Sequence, residues 1–265
     1  MFIKECYARK TGMDYRICKR IENTAGFPLQ TFPDEGVYVR VSNARTDEPK
    51  NRLLVQRLAG HNSVLVTGIP RVVRAVSDCA ESMTSGELFS PLGLAEIKRL
   101  LPPADAQCLD ETYGFDFVLI EHERFRPARS RYEVFALKRK DIPPRQFDLR
   151  IAERRPSETD DFIWAFACYH NEPNITATEL APFGSRCASI AVVIWNGSED
   201  IATFGVGTEE LLRGQGYALA VVSAATQWIL DQKAIAWYGA YANNIPSLRI
   251  ARRLGFSLVY QSFGA

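Results

Sequence analysis

Val206-Gly-Thr-Glu-Glu-Leu-Leu-Arg-Gly-Gln-Gly-Tyr-Ala218 is the stretch whose reading decides the fold. An apolar run ends here, the chain turns through Arg213-Gly214-Gln215-Gly216, and a long apolar segment follows at helical spacing, from Tyr217 to Asp231. The order predicted is strand, turn, helix. Amides at a helix start have no intrahelical acceptor, glycines let a ligand approach the backbone, and Arg213 adds a cation; together these favour a bound phosphate. Leu219, Ala220, Val221, Val222, Ala225, Trp228 and Ile229 make the helix apolar enough to be buried, which would hold the turn rigid. Read alone, R-G-x-G is equally an ordinary strand-to-helix turn. It lacks the Gly-Lys-Ser/Thr ending of a P-loop and the full G-x-G-x-x-G phasing of a dinucleotide site.

Working outward, Ser189–Trp195 and Asp200–Val206 flank Asn196-Gly197 and predict a hairpin, because Asn-Gly readily adopts positive φ. Leu149–Glu153 predicts a strand, Glu158–Tyr169 an amphipathic helix with Phe162, Ala165 and Phe166 on one side, and Thr176–Leu180 a short helix. Downstream come a strand over Ala234–Ala242, a helix over Ser247–Leu254 and a strand over Phe256–Gln261. In the first half, Glu48-Pro49 opens a predicted amphipathic helix through Leu53, Leu54, Val55, Leu58 and Ala59, closed by Gly60. Ser63–Thr67 predicts a strand. Helices are predicted for Ile69–Met83, with Pro70 in the first turn, and for Leu92–Leu101, stopped by Pro102-Pro103. Phe115–Ile120 and Tyr132–Leu137 complete the set as strands. The fold class predicted is α/β.

The segment Ala242-Asn-Asn244-Ile-Pro-Ser247-Leu-Arg-Ile-Ala251-Arg-Arg-Leu-Gly255-Phe256 gives the turn a partner. Arg213-x-x-Gly216-x-Ala218 followed by Asn244-x-x-Ser247 and Leu254-Gly255-Phe256 resembles the GNAT superfamily of acyl-CoA-dependent N-acyltransferases. The first motif is similar to that family's pyrophosphate signature and the second to its later N-x-x-S…L-G-F motif, in the same order. The resemblance covers roughly residues 185–261, reaches back less fully to about 145, and leaves 1–140 unexplained. It implies a mixed central sheet flanked by helices in residues 141–265, an acyl-CoA-binding catalytic domain, preceded by a smaller α/β accessory domain in 1–140.

By that resemblance, Val206, Gly207 and Thr208 offer main-chain groups to a pantetheine arm. Arg213, Gly214, Gln215, Gly216, Tyr217 and Ala218 cradle the pyrophosphate of acetyl-CoA or coenzyme A, the co-substrate. Asn244 stands where the strand around Tyr238–Ala242 splays away, and Ser247 begins the next helix beside the cofactor. The acceptor amine attacks the thioester directly, with no covalent enzyme intermediate. Two positions depart from the pattern. Ala251 stands where many members carry a Tyr acid, and Ala202 where some carry a Glu base. Asp200, two residues earlier and on the same strand face by alternation, is the substitute base. Tyr238 and Tyr241 are candidate acids, and His170, near Glu172, is a candidate acceptor-side base. The last predicted strand has no further strand after it, so the first half is expected to cover its edge.

Composition bounds the rest. Hydrophobic residues make up 46% and charged residues 24% of 265, an ordinary globular balance that excludes a largely disordered or coiled-coil chain. Net charge is +1, so the molecule as a whole does not attract nucleic acid or anionic lipid. Residues 1–140 carry 22 Lys/Arg against 18 Asp/Glu, and the run from Arg124 to Lys140 reads as a solvated linker face. The start, Met-Phe-Ile-Lys-Glu-Cys, lacks a secretory h-region and no apolar run is long enough to span a bilayer, so a cytoplasmic setting without membrane contact is expected. The scattered cysteines, 6, 18, 79, 108, 168 and 187, read as reduced thiols, and no metal-ligand spacing is present. The expected function is N-acetyl or short-acyl transfer to a small-molecule amine; the alternative is a catalytically silent acyl-CoA-binding sensor or scaffold. The sequence is compatible with a homodimer.

Overall fold

In the computed structural model of this chain, the described residues are 13–29, 35–48, 50–138, 163–170, 186–196 and 200–265. They divide into two compact units. One comprises residues up to Asp116 with Gly239–Ile245 and Leu258–Ala265; the other comprises Phe117–Tyr238 and Pro246–Ser257. The first unit thus takes in two segments from the carboxyl end besides the residues up to Asp116.

In chain order the first elements are α1 (Tyr15–Ala25), β1 (Glu35–Val41), β2 (Leu53–Leu58), β3 (Asn62–Gly68), α2 (Pro70–Glu81), the single turn α3 (Ser85–Leu88), α4 (Pro91–Leu100), α5 (Pro103–Thr112) and β4 (Gly114–Leu119). Then come β5 (Phe135–Lys138), β6 (Ile163–His170), β7 (Arg186–Asn196), β8 (Ile201–Thr208), α6 (Tyr217–Asp231), β9 (Ile235–Tyr241), α7 (Ile245–Leu254) and β10 (Ser257–Gly264). Hydrogen-bonded strand order is β1-β3-β2-β10-β4-β9 in the first unit and β4-β9-β8-β7-β6-β5 in the second. Parallel β1–β3 beside antiparallel β2–β3, and parallel β8–β9 beside antiparallel β7–β8, make the protein α/β with mixed pairing, as expected.

In the first unit, Val39, Leu53, Val55, Val64 and Val66 from the strands pack with Val72, Val76, Ile97 and Leu109 from the helices and with Phe263. Pro70 opens α2 at its first turn, where its missing N–H costs nothing. The edge of β10 is covered as the sequence led one to expect: residues 260–264 pair antiparallel with Leu54–Leu58 of β2. The covering element is itself a correction, since 53–58 was expected to be helical. Leu53 and Val55 turn into the core while β2 is bonded to β3 on one side and β10 on the other, and this double pairing overrides a helix-compatible spacing. Pro102-Pro103 ends α4 but also begins the unforeseen α5, with a proline in its first turn.

In the second unit the predicted hairpin forms, with eight pairs running from Asn196/Ile201 to Ser189/Thr208. Helix α6 matches its expected bounds and packs across β6, β7 and β8. The expected helix over 158–169 is instead strand β6 from Ile163 onward. Ala165 and Ala167 pack on one face beside Leu137 and Val192, while Phe166 meets Trp228 of α6, ring centroids 6.1 Å apart. A strand buried on both faces shows no alternation, and its apolar run then imitates a helix. The expectations for 149–153 and 176–180 lie outside the described residues.

The five described cysteines are free thiols. Burial pushes the Cys168 and Cys187 thiols from an ordinary 9.0 up to about 12. The native state thus keeps protons that an unfolded chain loses. Their contribution to stability is complete below the unfolded value of 9.0 and drains away as pH rises toward about 12. We predict that iodoacetamide near pH 8 leaves both unmodified in the folded protein and alkylates both in urea. Mass spectrometry showing either one modified in the native state contradicts this burial.

Candidate functional site

The site is built on the passage from β8 to α6. After a 3-10 turn, Glu210–Leu212, the chain passes through Gly214 at φ 80° and Gly216 at φ 97°, left-handed conformations that glycine adopts without steric cost. A Cβ placed on Gly214 would meet nothing within 4 Å, and on Gly216 only Cε2 of Tyr132 at 3.9 Å, so conformation, not crowding, calls for these glycines. The space in front of them is open, and residues 213–216 are exposed.

Gly216 caps α6 with no side-chain partner, and the first helical bond runs from the Ala220 amide to the Gly216 carbonyl at 3.1 Å. Among the described backbone hydrogen bonds none uses the amides of Gly214, Gln215, Gly216, Tyr217, Ala218 or Leu219. Behind this row, Tyr217, Ala220, Val221, Val222, Ala225 and Ile229 are buried. Unpaired donors at the positive end of an immobile helix can take an anion without reorganising. Arg213 contributes less than its position promised. Its amide is bonded to the Glu210 carbonyl, and its exposed guanidinium lies 4.0 Å from Glu210 Oε1. An exposed pair of that kind is worth little.

Leading into the turn, β8 is bonded to β9 only from Ile201/Ile235 to Thr203/Trp237. From Phe204 to Thr208 it pairs with β7 alone, and Val206, Gly207 and Thr208 are half-buried. The unpaired edge of a strand can bond an extended polar chain.

Tyr238, the first residue of β9 beyond this ladder, is buried against Phe204 and Phe256, ring centroids 5.2 and 5.7 Å away. Burial raises its phenol above the ordinary range, and a hydrogen bond with the Ser247 side chain partly offsets the rise. The structure thus joins two sequence candidates and holds Tyr238 as a neutral phenol. His170, at the end of β6, has Nδ1 2.8 Å from the hydroxyl of Tyr217, which joins two more. Tyr241 is the last residue of β9, 58% exposed, and Asn244 donates its amide to the Tyr241 carbonyl at 2.9 Å; both lie in the first unit. Asp200 precedes β8 in a left-handed turn at φ 51° and is exposed, while Ala202 is fully buried, so the alternation argument for Asp200 does not apply. Eight residues of extended chain place Asp200 roughly 25 Å from Thr208.

Sequence reasoning missed Tyr132, which stacks on Tyr217 with centroids 3.9 Å and planes 22° apart and donates its hydroxyl to the Gln215 carbonyl at 2.9 Å. Lying 85 residues before Tyr217, as the first residue of a predicted strand within the basic run, it gave no local signal. Among the described residues no cluster of His, Cys, Asp and Glu is arranged to hold a metal ion, and no helix is long and apolar enough to cross a membrane.

No protein-family model matches the chain, and no curated protein matches it. Its structural neighbours are acetyltransferases of the GNAT family. It is similar to an acetyltransferase from the GNAT family of Colwellia psychrerythraea (10% identity, 58% of this chain, 56% of that one, TM-score 0.38). It is similar also to a GCN5-related N-acetyltransferase from Kribbella flavida (14%, 58% and 58%, TM-score 0.35). A third similar structure is a GCN5-related N-acetyltransferase-like protein from Streptococcus suis (14%, 94% and 98%, TM-score 0.40). The chain spans less than two thirds of the length of the first two.

The turn itself is testable. Gly214→Ala and Gly216→Ala should each lower unfolding free energy by about 1–2 kcal/mol, the cost of a left-handed backbone bearing a Cβ. Urea titrations showing no loss at either position would place the glycines in ordinary conformations.

Proposed function

We propose that this protein is an acyl-CoA-dependent N-acyltransferase that moves an acetyl or short acyl group from the CoA thioester to a primary amine. The observation that carries this reading is the row of amides from Gly214 to Leu219, without a partner among the described backbone hydrogen bonds, that follows the exposed turn 213–216 into the buried helix α6. In this reading residues 141–265 hold the acyl-CoA-binding and catalytic groups, and 1–140 are accessory.

The diphosphate of CoA rests on the amides of Gly214–Ala218, and the pantetheine arm runs along the free edge of β8 at Val206–Thr208. Ser247 lies beside the cofactor. The acceptor nitrogen attacks the thioester carbonyl, the C–N bond forms as the C–S bond breaks, the amine gives up one proton and the departing sulfur takes one. Tyr238 is the candidate acid for the departing sulfur, a buried phenol beside the point where β8 and β9 part. His170 and Tyr241 remain candidates for the amine's proton; Asp200 is set aside by its place at the far end of β8.

A second reading has its own observation. Ala202 and Ala251, at the positions where the resembled family often carries a Glu and a Tyr, are fully buried and leave no room for a substitute side chain. That favours an acyl-CoA-binding protein without turnover, a sensor or scaffold.

Calorimetric titration with CoA and acetyl-CoA, followed by thiol release from acetyl-CoA over a panel of amines, decides between them. The enzyme reading expects binding of both ligands and turnover with at least one amine. It also expects a loss of kcat in Tyr238→Phe of about a hundredfold, the usual worth of a positioned acid. Binding without turnover supports the silent reading. No binding of either ligand to the folded protein overturns both.

A further inference from the structure

The basic stretch Arg124–Lys140 includes Tyr132, which touches the glycine turn, and Arg131, which is bonded to Tyr132; both lie in the second unit. Tyr132 lies flat on Tyr217, the first residue of α6, and its hydroxyl donates to the Gln215 carbonyl. Arg131 Nη2 donates to that same hydroxyl oxygen at 2.9 Å, and its guanidinium carbon lies 5.1 Å from the centre of the Tyr132 ring. Two hydrogen bonds therefore connect the Arg131 charge to the main chain of the turn.

The bond to Gln215 has a geometric consequence. The C=O and N–H of one peptide plane point in opposite directions, so holding the Gln215 carbonyl toward Tyr132 turns the Gly216 N–H the other way. Glycine populates both signs of φ, and a plane ending in Gly216 is free to rotate unless something restrains it. Tyr132 supplies the restraint, and it is itself held. Its ring is stacked on Tyr217, whose hydroxyl is bonded to His170 Nδ1.

We propose that Tyr132 is a positioning residue that fixes the Gln215–Gly216 peptide for diphosphate binding. The inference rests on the acyl-CoA reading and deepens it. The outer wall of the cofactor turn comes from a segment that precedes the GNAT-like motifs.

The test is calorimetric titration of CoA into wild type and Tyr132→Phe at low and high salt, with amide proton–nitrogen spectra of both proteins free of ligand. Tyr132→Phe keeps the stacked ring and loses only the hydroxyl. It is expected to weaken CoA about three- to tenfold, the worth of one hydrogen bond, with the salt dependence of binding unchanged and the Gly216 amide resonance displaced. If wild type binds CoA while Tyr132→Phe binds it equally well, or the Gly216 amide stays where it is in wild type, this inference is overturned and the acyl-CoA reading stands. If wild type does not bind CoA, the underlying reading fails first.

Discussion

The rest of the second unit is organised around one constraint: where β8 gives way to α6, the chain exposes a row of amides that its own backbone cannot satisfy. An extended strand pairs its N–H groups with neighbours and a helix pairs them four residues back, so the junction has neither. Elsewhere in proteins such groups are capped by a side chain. Here Gly216 has none to offer, and the chain turns through two glycines at φ 80° and 97°. Because α6 is buried along most of its length, these donors are fixed in place. A site that need not reorganise to meet negative charge binds it better than the same groups on a mobile loop.

The strand before the junction shares this economy. The ladder between β8 and β9 ends at Thr203/Trp237, and from there β8 is bonded on one side only. Tyr238 stands at the point of separation, packed between two phenylalanines and joined to Ser247. In the first unit the opposite solution is used: the edge of β10 is closed by β2 from far earlier in the chain. Open edges are liabilities unless something uses them. An open edge beside a row of free amides suits a ligand that is part extended chain and part anion.

Much of this was legible in the sequence, for reasons that differ by element. The 189–206 hairpin, α6 and the elements after it follow from local signals: Asn-Gly, a glycine-flanked helix start, and strand lengths set by apolar runs. Strands β2 and β6 were misread because Leu53–Leu58 and Ile163–His170 are each hemmed in by partners, and burial on both faces erases the alternation that marks a strand. The turn of the candidate site was readable because its chemistry is local. Its outer wall was not, since Tyr132 reaches Tyr217 only through tertiary packing and no spacing rule connects positions so far apart. Asp200 was placed by extending strand alternation one residue beyond where the strand begins; a left-handed turn there breaks the pattern.

The central claim is that the amides of Gly214 to Ala218 receive the diphosphate of coenzyme A. Amide proton–nitrogen correlation spectra recorded during titration with CoA test it at the atoms concerned. The account predicts that the largest shifts fall on Gly214, Gln215, Gly216, Tyr217 and Ala218, with smaller ones along Val206–Thr208. Saturable CoA binding that leaves those five amides unmoved, or the absence of any shift at saturating ligand, would contradict it.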